Sequence, residues 1–290
     1  MRNALGLMLA SVVTAVVIAG VWFWAFSPHA DAAAPQTVAA RTAEPLPAAV
    51  AAKPSLKDDV EITASLSKPA PAPLPVPVPQ PAKSACANPD ALGVSRMVVI
   101  DTTGGPGFGF LQYKQFDFLT DKEVVLTFDD GPWPTTPAVL KALADECTKA
   151  IFFPVGKHTS YHPEILKQVF AAGHTVGSHT WSHSHLDSKK LTEAQVREEI
   201  EKGFSAVKTA IGTAPAPFFR FPGLGHTQVA LGYLASRNIS MFSVDVDSND
   251  FRSSGPDQVI NNVMTKLDKQ GKGVILMHDL QKSTAQALPT

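Results

Sequence analysis

The sequence has almost no excess charge of either sign: 25 Lys and Arg stand against 26 Asp and Glu, a formal balance of −1. A strongly basic nucleic-acid binder is thereby excluded, because nothing offsets the phosphate charge. Cysteine is scarce, with two residues in 290, and neither Cys86 nor Cys147 has a base close by in sequence. A cysteine nucleophile is disfavoured on that ground. No internal repeat is present, which excludes a repeat array. Wholesale disorder is excluded as well, since 44% of the residues are hydrophobic.

Charge is missing altogether from residues 4–26, ALGLMLASVVTAVVIAGVWFWAF, which follow Arg2. These 23 residues are enough to span a bilayer as a helix. The basic residue before them predicts an inside N-terminus and an outside remainder, with Trp22 and Trp24 at the exit end. A cleaved secretory signal is the competing reading, and Ala30-Asp31-Ala32 offers it a cleavage site. The run exceeds the usual signal core of about 7–15 residues, which favours the anchor. Either reading exports the rest of the chain. The expected location is the inner membrane with the domain in the periplasm or outside the cell, or secretion after cleavage.

Twelve of the 24 prolines lie between positions 28 and 81. PAPAPLPVPVPQP (69–81) alternates proline with small or apolar residues and is expected to be extended and semi-rigid. The chain therefore divides into an anchor or signal (1–26), a Pro/Ala-rich linker (27–84) and a globular domain (85–290).

In the globular domain, apolar runs of strand length alternate with helix-like segments. VVLTF (124–128), AIFF (150–153), TVGS (175–178), FFRF (218–221), MFSV (241–244) and VILM (274–277) read as buried strands, and MVVID (97–101) as a further one. The clearest helix spans 192–211. Thr192 and Gln195 form a capping box, Val196, Ile200, Phe204, Val207 and Ile211 share one face, and Gly212 is the stop. This alternation predicts an α/β fold with a parallel sheet, open or closed into a barrel. Cys86 and Cys147 both fall in the exported part, where a disulfide is favoured over two free thiols.

Three groups of residues carry chemistry. TFDDGP (127–132) puts two adjacent carboxylates at a strand's C-terminal end, an arrangement that needs shared charge or a cation. Adjacent side chains point in different directions, so one can bind a metal while the other acts on water. HTWSH (179–183) places two histidines four apart, which on a helical turn would share one face and reach one metal. Two His plus a carboxylate leave coordination positions open for water and substrate. Arg220 in RFPG ends a strand-like run, and Asp247 and Asp250 in DSNDF and His278 in LMH each follow one. All could therefore gather on one rim.

Taken in order over residues 127–279, these pieces resemble the five motifs of the polysaccharide deacetylase family, the NodB-homology domain of carbohydrate esterase family 4. TFDDG, HTWSH and LMH match without change, whereas RFPG resembles Arg-x-Pro-Tyr and DSNDF resembles Asp-x-x-Asp-Trp. The resemblance implies a distorted, incomplete (β/α) barrel. It implies that Asp130, His179 and His183 bind one divalent cation, most often Zn²⁺, with Co²⁺, Ni²⁺ or Mn²⁺ as alternatives. Asp129 would be the general base and His278 the general acid. Arg220 would pair with Asp129 and keep it ionised, and Asp250 would orient His278 and raise its basicity. Leu276 would line the pocket for the acetyl methyl, Phe251 would form a groove wall, and the backbone of Gly223 would help bind the oxyanion.

Two substitutions depart from the family pattern: Gly223 stands where Tyr is usual, and Phe251 where Trp is usual. The chain also stops at Thr290, twelve residues after His278, where the resemblance leads one to expect a further helix and strand. A C-terminally truncated domain is the expectation there, with Ser283 to Gln286 reading as the capping box of its last helix.

The expected activity is that of a hydrolase of linear amides, removing N-acetyl groups from N-acetylglucosamine units of peptidoglycan or chitin-like oligomers. The alternatives are an inactive, truncated glycan-binding protein of the envelope, and an O-acetyl esterase or other amide hydrolase of the same family. The expected partners are an N-acetylated glycan and the membrane, with no nucleic acid. The sequence is silent on oligomeric state.

Overall fold

The computed structural model describes residues 86, 88–114 and 117–290. The expected anchor and linker lie outside the described residues. Among the described residues no helix is long and apolar enough to cross a membrane.

Eight short strands alternate with seven helices over the described domain. The strands are β1 (Gly107–Phe108), β2 (Val124–Asp129), β3 (Ile151–Phe153), β4 (Thr175–Val176), β5 (Phe218–Phe219), β6 (Ser240–Phe242), β7 (Val246–Asp247) and β8 (Gly273–His278). The helices are α1 (Thr136–Asp145), α2 (Gly156–Tyr161), α3 (Pro163–Ala171), α4 (Glu193–Ile211), α5 (Gln228–Ser236), α6 (Pro256–Gln270) and α7 (Lys282–Ala287). Every ladder is parallel. One run has the order β4-β3-β2-β8-β7 and the other β1-β6-β5. A bridge between Ser178 and Phe219 connects them on one side. On the other, the chain passes within a few residues from β6 to β7. The α/β architecture with parallel sheets expected from the alternation is thus present.

The period-2 geometry of a strand explains the layering. Phe128, Phe152, Ile275 and Met277 turn outward into a cluster with Val139, Leu143, Leu166 and Val169 of α1 and α3. Phe219 and Met241 turn outward into a second cluster with Ile200, Ala230 and Leu234 of α4 and α5. The alternate residues face inward, where Phe108, Phe153 and Phe242 form a small aromatic core. Thr127, Asp129 and Arg220 are also buried, and they too alternate with outward-facing neighbours.

Helix α4 has its capping box at Thr192 and Gln195 and ends at Gly212, whose φ of 78° suits a glycine stop. Cys86 and Cys147 are joined in a disulfide. It fastens the start of the domain to the residues just after α1, and backbone N–H groups of Leu92 and Gly93 bond Glu146 beside it.

Three local expectations are corrected. MVVID (97–101) is not a strand: Met97 and Val99 are 62% and 76% exposed, and no ladder receives them. HTWSH (179–183) is not a helical turn but a loop, with positive φ at Thr180 and His183. Ser283 does not cap α7, because the helix opens after Gln281 and Ser283 lies inside it.

Candidate active site

The parallel register sets the centre of the site. β2 and β8 lie side by side, and their Cα register pairs Asp129 with His278 at the C-terminal ends. Asp129 also pairs with Phe153 of β3, and Arg220 follows directly on β5. The strands therefore deliver a carboxylate, an imidazole and a guanidinium to one rim, where sites of parallel α/β folds form.

Asp129 and Asp130 separate at the end of β2. Asp129 keeps its strand conformation and is 2% exposed. Asp130 takes φ of 73°, a left-handed conformation that is costly for a residue with a Cβ. The turn redirects its carboxylate toward the histidine loop. His183 Nε2 lies 3.2 Å from Asp130 Oδ1 and His179 Nε2 3.5 Å from it. The loop geometry of 179–183 thus brings both rings to one carboxylate, with centroids 5.0 Å apart.

These three residues fit a divalent cation. Their ligand atoms all lie within 4.8 Å of one another. Asp130 Oδ1 is buried without a hydrogen-bond partner among the described residues, an orphaned acceptor aimed at the two imidazoles. Burial pushes the His179 ring down to about 3, so it is neutral as a ligand must be. Its Nδ1 donates to the carbonyl of Arg220 at 2.7 Å, which leaves the Nε2 lone pair facing Asp130.

Arg220 is fully buried and spends its guanidinium on four acceptors. Nη1 bonds Asp129 Oδ1 at 2.8 Å and Thr127 Oγ1 at 2.7 Å, Nε bonds the Phe242 carbonyl, and Nη2 the Ser243 carbonyl. The guanidinium carbon lies 4.5 Å over the Phe153 ring. The expected pairing with Asp129 is present, but its effect is only partial. Burial raises the carboxyl of Asp129 above the usual range, and the pull of Arg220 and nearby histidines does not cancel it.

His278 is held by Asp250 through both its backbone and its ring. The backbone N–H donates to Asp250 Oδ2 at 2.7 Å and Nδ1 donates to Oδ1 at 2.7 Å. Burial alone would lower the imidazole, but the Asp250 hydrogen bond and the charges of Asp250, Asp130 and Asp129 raise it to about 9. Asp250 itself sits lower than usual: burial opposes ionisation, but bonding from His278 and Thr284 prevails. Nε2 points toward Asp130, 4.0 Å from its Oδ2. Phe251 is 48% exposed with its ring edge-on to His278, 5.6 Å away. Leu276 is buried one alternation before His278 on the same strand face. Gly223 has φ of 59° in the turn Pro222–Leu224. Asp247, by contrast, is used structurally: it takes the backbone N–H of Asn249.

Sequence reasoning missed three supports. His158 of α2 donates Nδ1–H to the Asp130 carbonyl at 2.6 Å, and its ring packs on Trp133. Thr284 of α7 donates to Asp250. Asp279, buried beside His278, accepts from Thr136 Oγ1 at 2.6 Å. Burial raises its carboxyl to about 7 although the Thr136 bond opposes this. Its adjacency to His278 was the only sequence signal, and no helical or strand periodicity points from α2 or α7 to the site.

Asp279 also explains a glycine. A Cβ on Gly131 would stand 2.1 Å from Asp279 Oδ2, so the turn carrying Asp130 can pass only without a side chain. Gly131→Ala is expected to destabilise the domain by about 1–3 kcal/mol, as overpacking does. Thermal unfolding checks this, and an unchanged midpoint would contradict the close packing.

The sequence model described as polysaccharide deacetylase matches residues 118–242. A chitooligosaccharide deacetylase of Bradyrhizobium sp. (strain ANU 289) is 31% identical over 164 residues, covering 56% of this chain and 73% of that protein. The peptidoglycan-N-acetylglucosamine deacetylase PgdA of Listeria monocytogenes is 34% identical over 177 residues, 59% of this chain, which span only 35% of that longer protein. A solved peptidoglycan deacetylase of Bdellovibrio bacteriovorus superposes with a TM-score of 0.58 at 33% identity, covering 66% of this chain and 52% of that one. With the five motif segments gathered on one rim of a parallel α/β domain, the chain belongs to the polysaccharide deacetylase family.

Proposed function

We propose that this protein hydrolyses the N-acetyl groups of N-acetylglucosamine units in a cell-envelope glycan, peptidoglycan or chitin-like oligomers, and releases acetate. The observation that carries the reading is the placement of Asp129 and His278. They are paired across two adjacent strands, beside an acidic residue and two histidines that fit a cation.

The chemistry divides between them. A divalent cation held by Asp130, His179 and His183 would supply Lewis acidity and lower the pKa of water toward about 7 when that cation is zinc. Asp129, whose oxygens lie within hydrogen-bonding or charge contact of Arg220 and His179, takes a proton from the attacking water. The water oxygen bonds to the acetamide carbonyl carbon, and the Gly223 backbone helps hold the developing oxyanion. As the carbon–nitrogen bond breaks, His278 gives its Nε2 proton to the sugar amine. Asp250 keeps that proton available by holding Nδ1. Phe251 offers an exposed apolar wall next to the acid.

Three features support an exported, tethered domain. The uncharged run 4–26 and the proline-rich segment 69–81 suit an anchor and spacer. The disulfide suits an oxidising compartment.

The test is acetate release by the full chain from chitotetraose and from peptidoglycan, with Zn²⁺ supplied and with chelator added. Release that stops on chelation and returns with metal is expected. No release from folded, zinc-loaded protein on any N-acetylated glycan would overturn the reading.

A further inference from the structure

Gly223 and Gly225 owe their identity to a neighbouring loop. The segment after His183 lies against the Pro222–Leu224 turn with alternating side chains. Leu186 is buried in the cluster of Phe219 and Phe221. His185 and Asp187, one residue either side, go the other way. A Cβ on Gly223 would stand 2.4 Å from His185 Cε1 and 3.0 Å from its Nδ1. A Cβ on Gly225 would stand 2.4 Å from Asp187 Oδ2. Two such contacts in register make a fitted pair of loops rather than one chance approach. The ring of His185 thus takes up the space into which residue 223 would extend a side chain.

The ring is not there to be hidden. His185 is exposed, so one part of the imidazole is covered by the glycine and the rest is open to solvent. Its centroid lies 6.1 Å from that of His183, nearly perpendicular to it. Neither ring nitrogen has a hydrogen-bond partner among the described residues. His179 and His158, by contrast, tie one nitrogen to a backbone carbonyl, so the His185 nitrogens are left open to solvent or a ligand. An open amphipathic ring, flat on one side and able to donate or accept at its edge, stands between a cation ligand and the turn of Gly223.

We infer that His185 is a specificity-determining residue of the glycan groove. Its imidazole forms the wall beside Gly223, and a ring nitrogen bonds a hydroxyl of the N-acetylglucosamine unit seated against the site. This rests on the deacetylase reading above.

The test uses full-length, zinc-loaded protein and chitotetraose. Binding is followed by calorimetry in an Asp129→Asn background that blocks turnover, and KM and kcat are measured in the otherwise unaltered chain. His185→Ala is expected to weaken binding and raise KM about tenfold, the loss of one good hydrogen bond. The kcat and the zinc content should stay within about twofold. His185→Gln, which keeps a polar edge, should recover part of the loss. Gly223→Ala should weaken binding more when His185 is present than when position 185 is already Ala, because the ring is the nearest group to the added methyl, whereas the strain of the left-handed φ is common to both backgrounds. Binding and KM unchanged in His185→Ala would overturn the inference, as would an equal effect of Gly223→Ala in both backgrounds. The two readings separate cleanly. Metal-dependent acetate release that is indifferent to His185→Ala sinks this inference alone. Glycan binding that depends on His185 without any acetate release sinks the deacetylase reading alone.

Discussion

Asp129→Asn is expected to lower kcat/KM for acetate release by about 10³-fold, inside the range for loss of a general base, while the metal content stays the same. Asn cannot take a proton from water, yet it is the same size and keeps an oxygen for Arg220 Nη1. The three residues that could hold a cation are others, so their chemistry is left in place. Stability falls too, because the substitution removes the negative partner of a fully buried guanidinium. Deleting one member of a buried ion pair costs about 3–5 kcal/mol. Asn softens that cost, since Arg220 retains Thr127 Oγ1 and the carbonyls of Phe242 and Ser243. The pH profile gives an independent reading. Burial raises the Asp129 carboxyl, and the base works only when ionised. Activity should therefore fall as pH is lowered through the titration of this carboxyl, which a bound cation pulls back down. Steady-state kinetics across pH, with metal analysis and thermal unfolding of the same samples, checks all three. An Asp129→Asn enzyme that retains more than a tenth of the activity would assign the base elsewhere.

The parts of this site that could be read in the sequence were those fixed by strand periodicity. An apolar run that gives way to polar residues marks the end of a parallel strand, so Asp129 and His278 just after their runs, Arg220 at the end of its run and Asp250 a few residues beyond its run could be placed on one rim before their distances were known. The helix over 192–211 was equally legible, because its cap, its face and its stop are all local signals. The histidine pair is more instructive. Spacing of four suggested a helical turn, and both rings do reach Asp130, but they do so through a loop with two left-handed residues. The proximity was expected for a reason that does not operate. MVVID failed in another way: a β-branched run is a strand only where a neighbour offers free N–H and C=O groups, and such an offer leaves no trace in the run itself. His158, His185 and Asp279 act across the fold, on a carbonyl, on the space a side chain at Gly223 would fill and on a threonine hydroxyl. Only the tertiary structure brings such partners together.

Asp250→Asn is expected to be nearly as damaging as loss of the base, although Asp250 touches neither metal ligands nor substrate in the proposed chemistry. Asp250 holds His278 at two points, the ring Nδ1 and the backbone N–H. It is itself held by Thr284 of α7, whose hydroxyl donates to it. An amide at position 250 can still accept from Nδ1–H with its oxygen, but it supplies no negative charge. It can also turn its NH₂ toward the ring and select the wrong tautomer. A loss in kcat of about 10²–10³-fold follows from a misprotonated acid. The sign of the pH effect is fixed by the acid role. Burial lowers the imidazole of His278, but the hydrogen bond and charge of Asp250, together with the charges of Asp130 and Asp129, raise it to about 9. A group that must be protonated then remains so through neutral pH, and activity is lost only as pH rises toward that value. Without the Asp250 charge the alkaline limb moves down toward the ordinary histidine range. A cation on Asp130 would shrink the Asp130 contribution, but not the hydrogen bond that His278 donates to Asp250, so the direction of the shift holds with metal bound. Stability gives the same sign without any substrate. A raised histidine stabilises the fold fully below its unfolded value near 6.5, and that stabilisation is lost as pH climbs through about 9. Thermal midpoints measured from pH 6 to 10 should therefore fall less steeply in Asp250→Asn than in the unaltered chain. An alkaline limb and a stability slope both unmoved by the substitution would remove Asp250 from the partnership and leave His278 to be tuned by the rim carboxylates alone.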